Sequence, residues 1–150
     1  MTLQIRSVAQ AEKTLWSELF QGYANFYNVD LPANAEAQAW SWIHDDDESF
    51  WCDVAVTEQG EIVGFVQYQL MHRSLSGEKV CYLSDLYVEP AIRGSGIGRA
   101  LIDHVFNVAQ TQQWSNVRWL TQESNERARK IYDHYSKRSE FVLYSVPVTS

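Results

Sequence analysis

The chain has 150 residues, 45% of them hydrophobic, and carries a formal net charge of −7. That length and apolar content support one packed domain over residues 1–150 and leave no room for a second of ordinary size. The acidic balance argues against a nucleic-acid surface, which needs clustered Lys and Arg, and suits a site that attracts cations.

Cys52 and Cys81 are the only cysteines, and their spacing fits neither a metal site nor a disulfide scaffold, so they read as buried free thiols in a reducing compartment. His44, His72, His104 and His134 lack any ligand spacing, and no metal is expected. The opening MTLQIRSVAQ has no basic start before an apolar core, and no apolar run approaches the ~20 residues of a membrane span. A cytoplasmic protein with no membrane partner is the expectation.

In chain order, LQIRSV alternates as a short opening strand. Leu15, Leu19, Tyr23 and Phe26 then recur at helical spacing, with Trp16, Phe20 and Tyr27 as a second row. A second helix follows Pro32 and runs to about Ile43, where the acidic run at residues 45–48 ends it as a solvated loop. WCDVAVTEQGEIVGFVQYQLMHR reads as a hairpin turning at Gln59-Gly60, with Ile62, Val66, Tyr68 and Leu70 on one face and Phe65, Gln67 and Gln69 on the other. KVCYLSDLYV is a further strand, and a two-row helix face starts at Ile97. NVRWLTQ is a strand, Ser124 a helix cap for NERARKIYDHYSK, and FVLYSVPV a terminal strand. The order βααβββαβαβ is that of a mixed α/β layer protein.

Between the strand ending in LYV and the helix at Ile97 lies IRGSGIGRA, with Gly94, Gly96 and Gly98 at alternate positions. Such a loop turns backbone N–H groups to one side and admits an anion close to the chain. It is not a Walker A loop, because Arg99 and Ala100 stand where Lys and Ser or Thr are needed. The dinucleotide fingerprint also fits poorly, since Arg118 and Trp119 occupy the place of its acidic residue. A helix N-terminus behind such a loop still holds a pyrophosphate through its unpaired amides and the positive end of its dipole, and Arg93 adds a full charge.

Arg93, Gly96 and Gly98, placed between strand and helix, together with Asn125, Ala128 and Tyr132 in an N-x-x-A-x-x-x-Y helix, resemble the GNAT superfamily of acyl-CoA-dependent N-acetyltransferases. The resemblance covers nearly the whole chain and implies an α/β fold: a mixed, mostly antiparallel sheet with helices on both faces and splayed central strands. It implies acetyl-CoA as cofactor, its pyrophosphate on Arg93, Gly94, Ser95, Gly96, Ile97, Gly98 and Arg99 and its pantetheine arm along Leu86, Tyr87 and Val88. It further implies that Asn125 helps hold the cofactor and that Tyr132 protonates the departing thiolate. GYANFYNVDLP and KIYDHYSKRSEFVLY look most like the histone and polyamine acetyltransferase branch. Where polyamine enzymes read Y-L-E-D, however, this chain has Tyr82, Leu83, Ser84 and Asp85, and Ser84 cannot serve as their carboxylate.

The base is therefore open among Asp85, Glu123 and a water chain. The reaction expected is direct attack of a primary amine on the acetyl thioester, with a backbone N–H near Val88 as oxyanion donor and no covalent enzyme intermediate. Tyr23, Tyr27, Ser84 and Glu123 are the acceptor-side candidates. Asp85 and the acidic run, over an aromatic floor of Tyr23, Phe26 and Tyr27, are expected to form a channel for a cationic small molecule such as a polyamine or a lysine-like amine. An acyl-CoA-binding module without turnover is the alternative, and a homodimer is expected from the family and from the apolar FVLY segment.

Overall fold

A computed structural model describes residues 2–148, and the chain divides into two compact units, Met1–Leu120 and Thr121–Ser150. The first holds a five-stranded sheet in the order β1 (Gln4–Ser7), β2 (Phe50–Val56), β3 (Ile62–Arg73), β4 (Glu78–Val88), β5 (Val117–Trp119). All neighbours are antiparallel except β4 and β5, which run parallel. Helices α1 (Lys13–Phe26) and α2 (Ala33–Ile43) connect β1 to β2, and α3 (Ile97–Gln112) connects β4 to β5. This is the mixed, mostly antiparallel sheet that the sequence led us to expect.

Alternation along β2 assigns the helices to opposite faces. Cys52 and Val54 are buried with Trp16 and Leu19 of α1 and Ala39 of α2, whereas Asp53, between them, faces the other way and meets His104 of α3. On that second face Leu101, Ile102 and Val105 are fully buried. Tyr68 donates its hydroxyl to Asp53 Oδ2 at 2.7 Å, and His104 Nε2 lies 2.8 Å from the same oxygen, so the buried carboxylate is doubly partnered. Burial, with the adjoining carboxylate, pushes the Tyr68 hydroxyl well up.

Two expectations shift by one position. On α1 the core face draws on both rows: Trp16 and Leu19 are buried and Phe20 and Tyr23 pack beside them, while Leu15 and Phe26 are 47% and 51% exposed. In β3, Ile62 joins the α1 face because the register slips between Ala55 and Val56, and a bulge moves the residues beyond it to the opposite side. Ser17 donates to Glu36, and Gln21 Nε2 reaches the same carboxylate at 3.1 Å, which ties α1 to α2.

In the second unit, α4 (Glu126–Tyr132) is a seven-residue helix. Its N-cap is Asn125, whose side chain accepts from the Ala128 N–H at 3.3 Å, and not Ser124 as expected. The expected terminal strand is not formed within the described residues: Phe141, Leu143 and Val148 lie 93%, 71% and 96% exposed in irregular chain. Strand-prone residues make a strand only against a neighbour, and this segment pairs with none there.

Candidate active site

The register between β3 and β4 contains the local event that builds the site. Gln67 pairs with Asp85 and Tyr68 with Leu83, so Ser84 is the extra residue of a β-bulge. A bulge bends and twists its strand. The last pair between β4 and β5, Leu83 with Trp119, falls at that same point, and among the described residues no strand pairs with β4 beyond it on this edge. Splayed central strands thus have a one-residue cause.

Past the bulge, backbone direction can be read from the antiparallel alternation. Glu89 N–H donates to Val63 at 2.9 Å on the β3 side, so Leu86 and Val88 turn their N–H and C=O groups to the opposite, open edge. The Val88 carbonyl on that edge accepts from Arg93 Nε at 2.9 Å. The Arg93 guanidinium also lies 4.8 Å from the Phe26 ring centroid and 5.3 Å from that of Tyr87, a cation–π seat that fixes the start of the loop.

The loop itself is shaped by two of its three glycines. Gly94 and Gly96 have φ of 89° and 85°, in the left-handed region, and a Cβ at either would project into open space. Gly98 is already helical. Ser95 Oγ donates back to the Ile92 carbonyl at 2.7 Å, closing the turn. Gly96 is the N-cap of the 16-residue α3, and the first helical bond is Ala100 N–H to Gly96 C=O. The amides of Ile97 and Gly98 therefore belong to the helix start, which has no intrahelical acceptor for them. Arg99 is exposed in the same turn. This cradle of amides, positive dipole and cation, bordering a strand edge with outward backbone groups, fits the diphosphate and the amide-bearing arm of a coenzyme A thioester.

On the α1 face of β3 and β4, four polar side chains form a chain. Trp16 Nε1 donates to Gln67 Oε1 at 2.8 Å, Gln67 Nε2 donates to Asp85 Oδ2 at 2.8 Å, and the Tyr23 hydroxyl donates to Asp85. Beside it Gln69 Nε2 donates to Ser84 Oγ at 2.8 Å, so the bulge carries both Ser84 and Asp85 to the side of the two glutamines. Burial pushes the Asp85 carboxyl up, and the two hydrogen bonds offset only part of this. Tyr27 stands edge-on to Tyr23 with ring centroids 5.2 Å apart, and Tyr23 edge-on to Tyr87 at 6.1 Å. Tyr23, Tyr27, Ser84 and Asp85 are thus brought together. The acidic run at 45–48 is instead wound into a turn in which Asp45 accepts from the Asp47 N–H at 3.0 Å. It leads into the Phe50 end of β2, away from the glycine loop.

Gln67 and Trp16 were not singled out from sequence, and Phe26, expected in the acceptor channel, lies 51% exposed against the Arg93 guanidinium. The available signal was a pair of glutamines, Gln67 and Gln69, on one face of a strand whose neighbouring positions Phe65, Val66, Tyr68 and Leu70 are aromatic or branched. Both thiols are buried and unpaired: burial pushes Cys52 well up and Cys81 up to about 12, so neither is a ready nucleophile. In the second unit, Asn125 and Tyr132 lie about two turns apart on one face of α4, and both are half-buried. Glu123 is exposed, with its carboxylate 3.4 Å from Arg138 Nη1 and its carbonyl 2.8 Å from Arg129 Nη1.

Residues 13–135 match the model of the acetyltransferase (GNAT) family. The chain is 28% identical over 141 residues to the D-amino-acid N-acetyltransferase of Saccharomyces cerevisiae, covering 93% of this chain and 88% of that one. Over 71 residues it is 35% identical to the thialysine N-epsilon-acetyltransferase of Bos taurus, 47% of this chain and 41% of the relative. The crystal structure of AAC(6')-Iy with a bisubstrate analog carrying coenzyme A superposes with a TM-score of 0.84 at 18% identity, over 99% of this chain and 100% of that one. These relatives spread over several kinds of acceptor, so no branch of the family is singled out. The chain belongs to the GNAT acetyltransferase family and is an N-acetyltransferase that uses acetyl-CoA.

Proposed function

We propose that the chain acetylates a cationic primary amine, small enough to reach Asp85 between α1 and the bulge of β4, by direct attack of the amine on the acetyl thioester. The observation that carries this reading is the half-buried Asp85 carboxylate beside Tyr23 and Tyr27. A carboxylate and aromatic ring faces both attract an ammonium group, and a base whose proton affinity is raised by burial is better matched to removing its proton near neutral pH.

Acetyl-CoA supplies the activated acyl group. Within the chain, the helix start at Gly96 and the Arg93 seat hold its diphosphate, the outward groups of Leu86 and Val88 align its arm, and the Val88 N–H donates to the thioester oxygen. Asp85 accepts the proton of the amine. Tyr132, in the helix capped by Asn125, gives a proton to the leaving sulfur. Direct transfer agrees with the raised thiols of Cys52 and Cys81. On this reading the whole chain acts as one cytoplasmic acetyltransferase domain, and the exposed apolar segment from Phe141 to Val148 favours a homodimer.

Turnover of acetyl-CoA over polyamines, amino acids, aminoglycosides and basic peptides tests the acceptor. Cationic amines should lead, with a KM that rises with salt as screening weakens the attraction. A neutral or acidic amine as best acceptor, with a salt-insensitive KM, would overturn the cationic reading.

A further inference from the structure

We infer that Gln67 is a positioning residue for acetyl transfer, locked in one orientation by Trp16 so that its amide N–H holds the Asp85 carboxylate. The inference rests on Asp85 being the base.

An amide side chain is ordinarily free to turn over and present either its oxygen or its nitrogen. At Gln67 that freedom is removed. The Trp16 indole nitrogen can only donate, so the atom it meets at 2.8 Å must be the Gln67 oxygen, and the NH2 group is left for Asp85 at the other end. Both holders are fixed by burial: Trp16 and Gln67 are each 0% exposed, and the indole packs on Phe20 and Trp40 with ring centroids 5.0 Å and 4.9 Å away. A fully buried glutamine flanked by the buried Phe65, Val66 and Tyr68 is costly unless both ends of its amide are satisfied. Here both are, and one of the two partners is the proposed base.

The placement has a chemical consequence. Gln67 bonds to Oδ2 of Asp85 in its charged form and limits how far burial raises the carboxyl. The other groups facing Asp85 are the Tyr23 hydroxyl from α1, the Cys52 thiol from β2 and the Tyr82 hydroxyl of β4 itself. Burial holds Cys52 and Tyr82 neutral, so Gln67 and Tyr23 are the two donors that set when this carboxylate is ready.

The test compares Gln67→Leu, Trp16→Phe and Asp85→Asn with the parent in kcat, in KM for acetyl-CoA, and in the pH profile of kcat/KM, after far-UV dichroism confirms the fold. Gln67→Leu should lower kcat about tenfold, leave KM for acetyl-CoA unchanged, and move the acidic limb of the profile up by about one pH unit. Trp16→Phe keeps an aromatic ring but frees the amide to turn, and should shift the limb in the same direction by less, which covers the case in which Gln67→Leu does not fold. Asp85→Asn should remove the limb. If Asp85→Asn removes it while both other variants leave it in place, Gln67 is only a packing residue and the base reading stands. If Asp85→Asn keeps the parent's rate and limb, the base reading fails and the positioning role with it.

Discussion

Gly96 and Gly60 form a matched pair from which the contribution of the loop can be isolated. Both glycines sit in the left-handed region, with φ of 85° and 81°, and at both an added Cβ meets nothing within 4 Å. Gly96→Ala and Gly60→Ala therefore carry the same penalty inside the protein, about 1–2 kcal/mol for a Cβ in that conformation. For a chain of this size that lowers Tm by about 2–8 °C in each variant. They differ in what occupies the space: Gly60 is in the turn between β2 and β3, whereas Gly96 caps α3 where the diphosphate is to lie. A methyl group there holds the phosphate off the helix amides, and losing even one good charge-assisted hydrogen bond, about 1.5 kcal/mol or more, weakens binding at least tenfold. Calorimetric titration with acetyl-CoA, beside thermal unfolding, separates the two effects. Similar Tm losses with a Kd change confined to Gly96→Ala are expected. Equal Kd values for the two variants would refute the placement of the diphosphate at this helix start.

Tyr132→Phe should leave the Kd for acetyl-CoA near the parent value and lower kcat by ~10²-fold, with the basic limb of the pH profile lost; parent-like turnover on the best acceptor would make Tyr132 a packing residue. Glu12 is held at about 2 by its hydrogen bond to Arg6, against 4.5 for a free carboxyl. A depressed folded-state value means stability that is present above pH 4.5 and lost as pH falls towards 2. Glu12→Gln should flatten that part of the stability-versus-pH curve while costing about 1 kcal/mol at neutral pH, since the pair is half-buried and solvent still screens it. A curve as steep as the parent's would place the acid sensitivity elsewhere. Light scattering at micromolar concentration should give twice the chain mass, and the mass of one chain would count against the homodimer.

What was legible in the sequence was whatever depends on local chemistry. The loop conformation followed from Gly94 and Gly96, because a left-handed turn before a helix has few other spellings, and the start of α2 followed from Pro32. Core rows that differ by one step were harder: Leu15 and Trp16 both fit a helical stripe, and only the sheet beneath decides that the indole goes inside. The Ser84 bulge was invisible, since it is a mismatch between two strands and neither strand contains it alone. Without it, alternation places Ser84 and Asp85 on opposite faces, and the link from Asp85 through Gln67 to Trp16 cannot be drawn. Asn125 was found as a motif residue, but its capping role depends on where α4 begins, which Ser124 and Asn125 signal equally well.

The bulge makes the site depend on a residue count rather than on a residue type. Replacing Ser84 by another small residue keeps the extra position, the bend and the exit of β4 from its pairing with β5. Removing it restores strict alternation: Leu83 and Asp85 become neighbours opposite Tyr68 and Gln67, the carboxylate keeps its face but Gln69 loses its Ser84 partner, and the open edge at Leu86 and Val88 loses the kink that kept it apart. Substitution scans are blind to such a determinant, because every single replacement preserves the length of the strand. A deletion scan along β4 reads it directly, and a homologue that drops one residue between Leu83 and Asp85 would keep every motif of the family while losing the geometry those motifs serve.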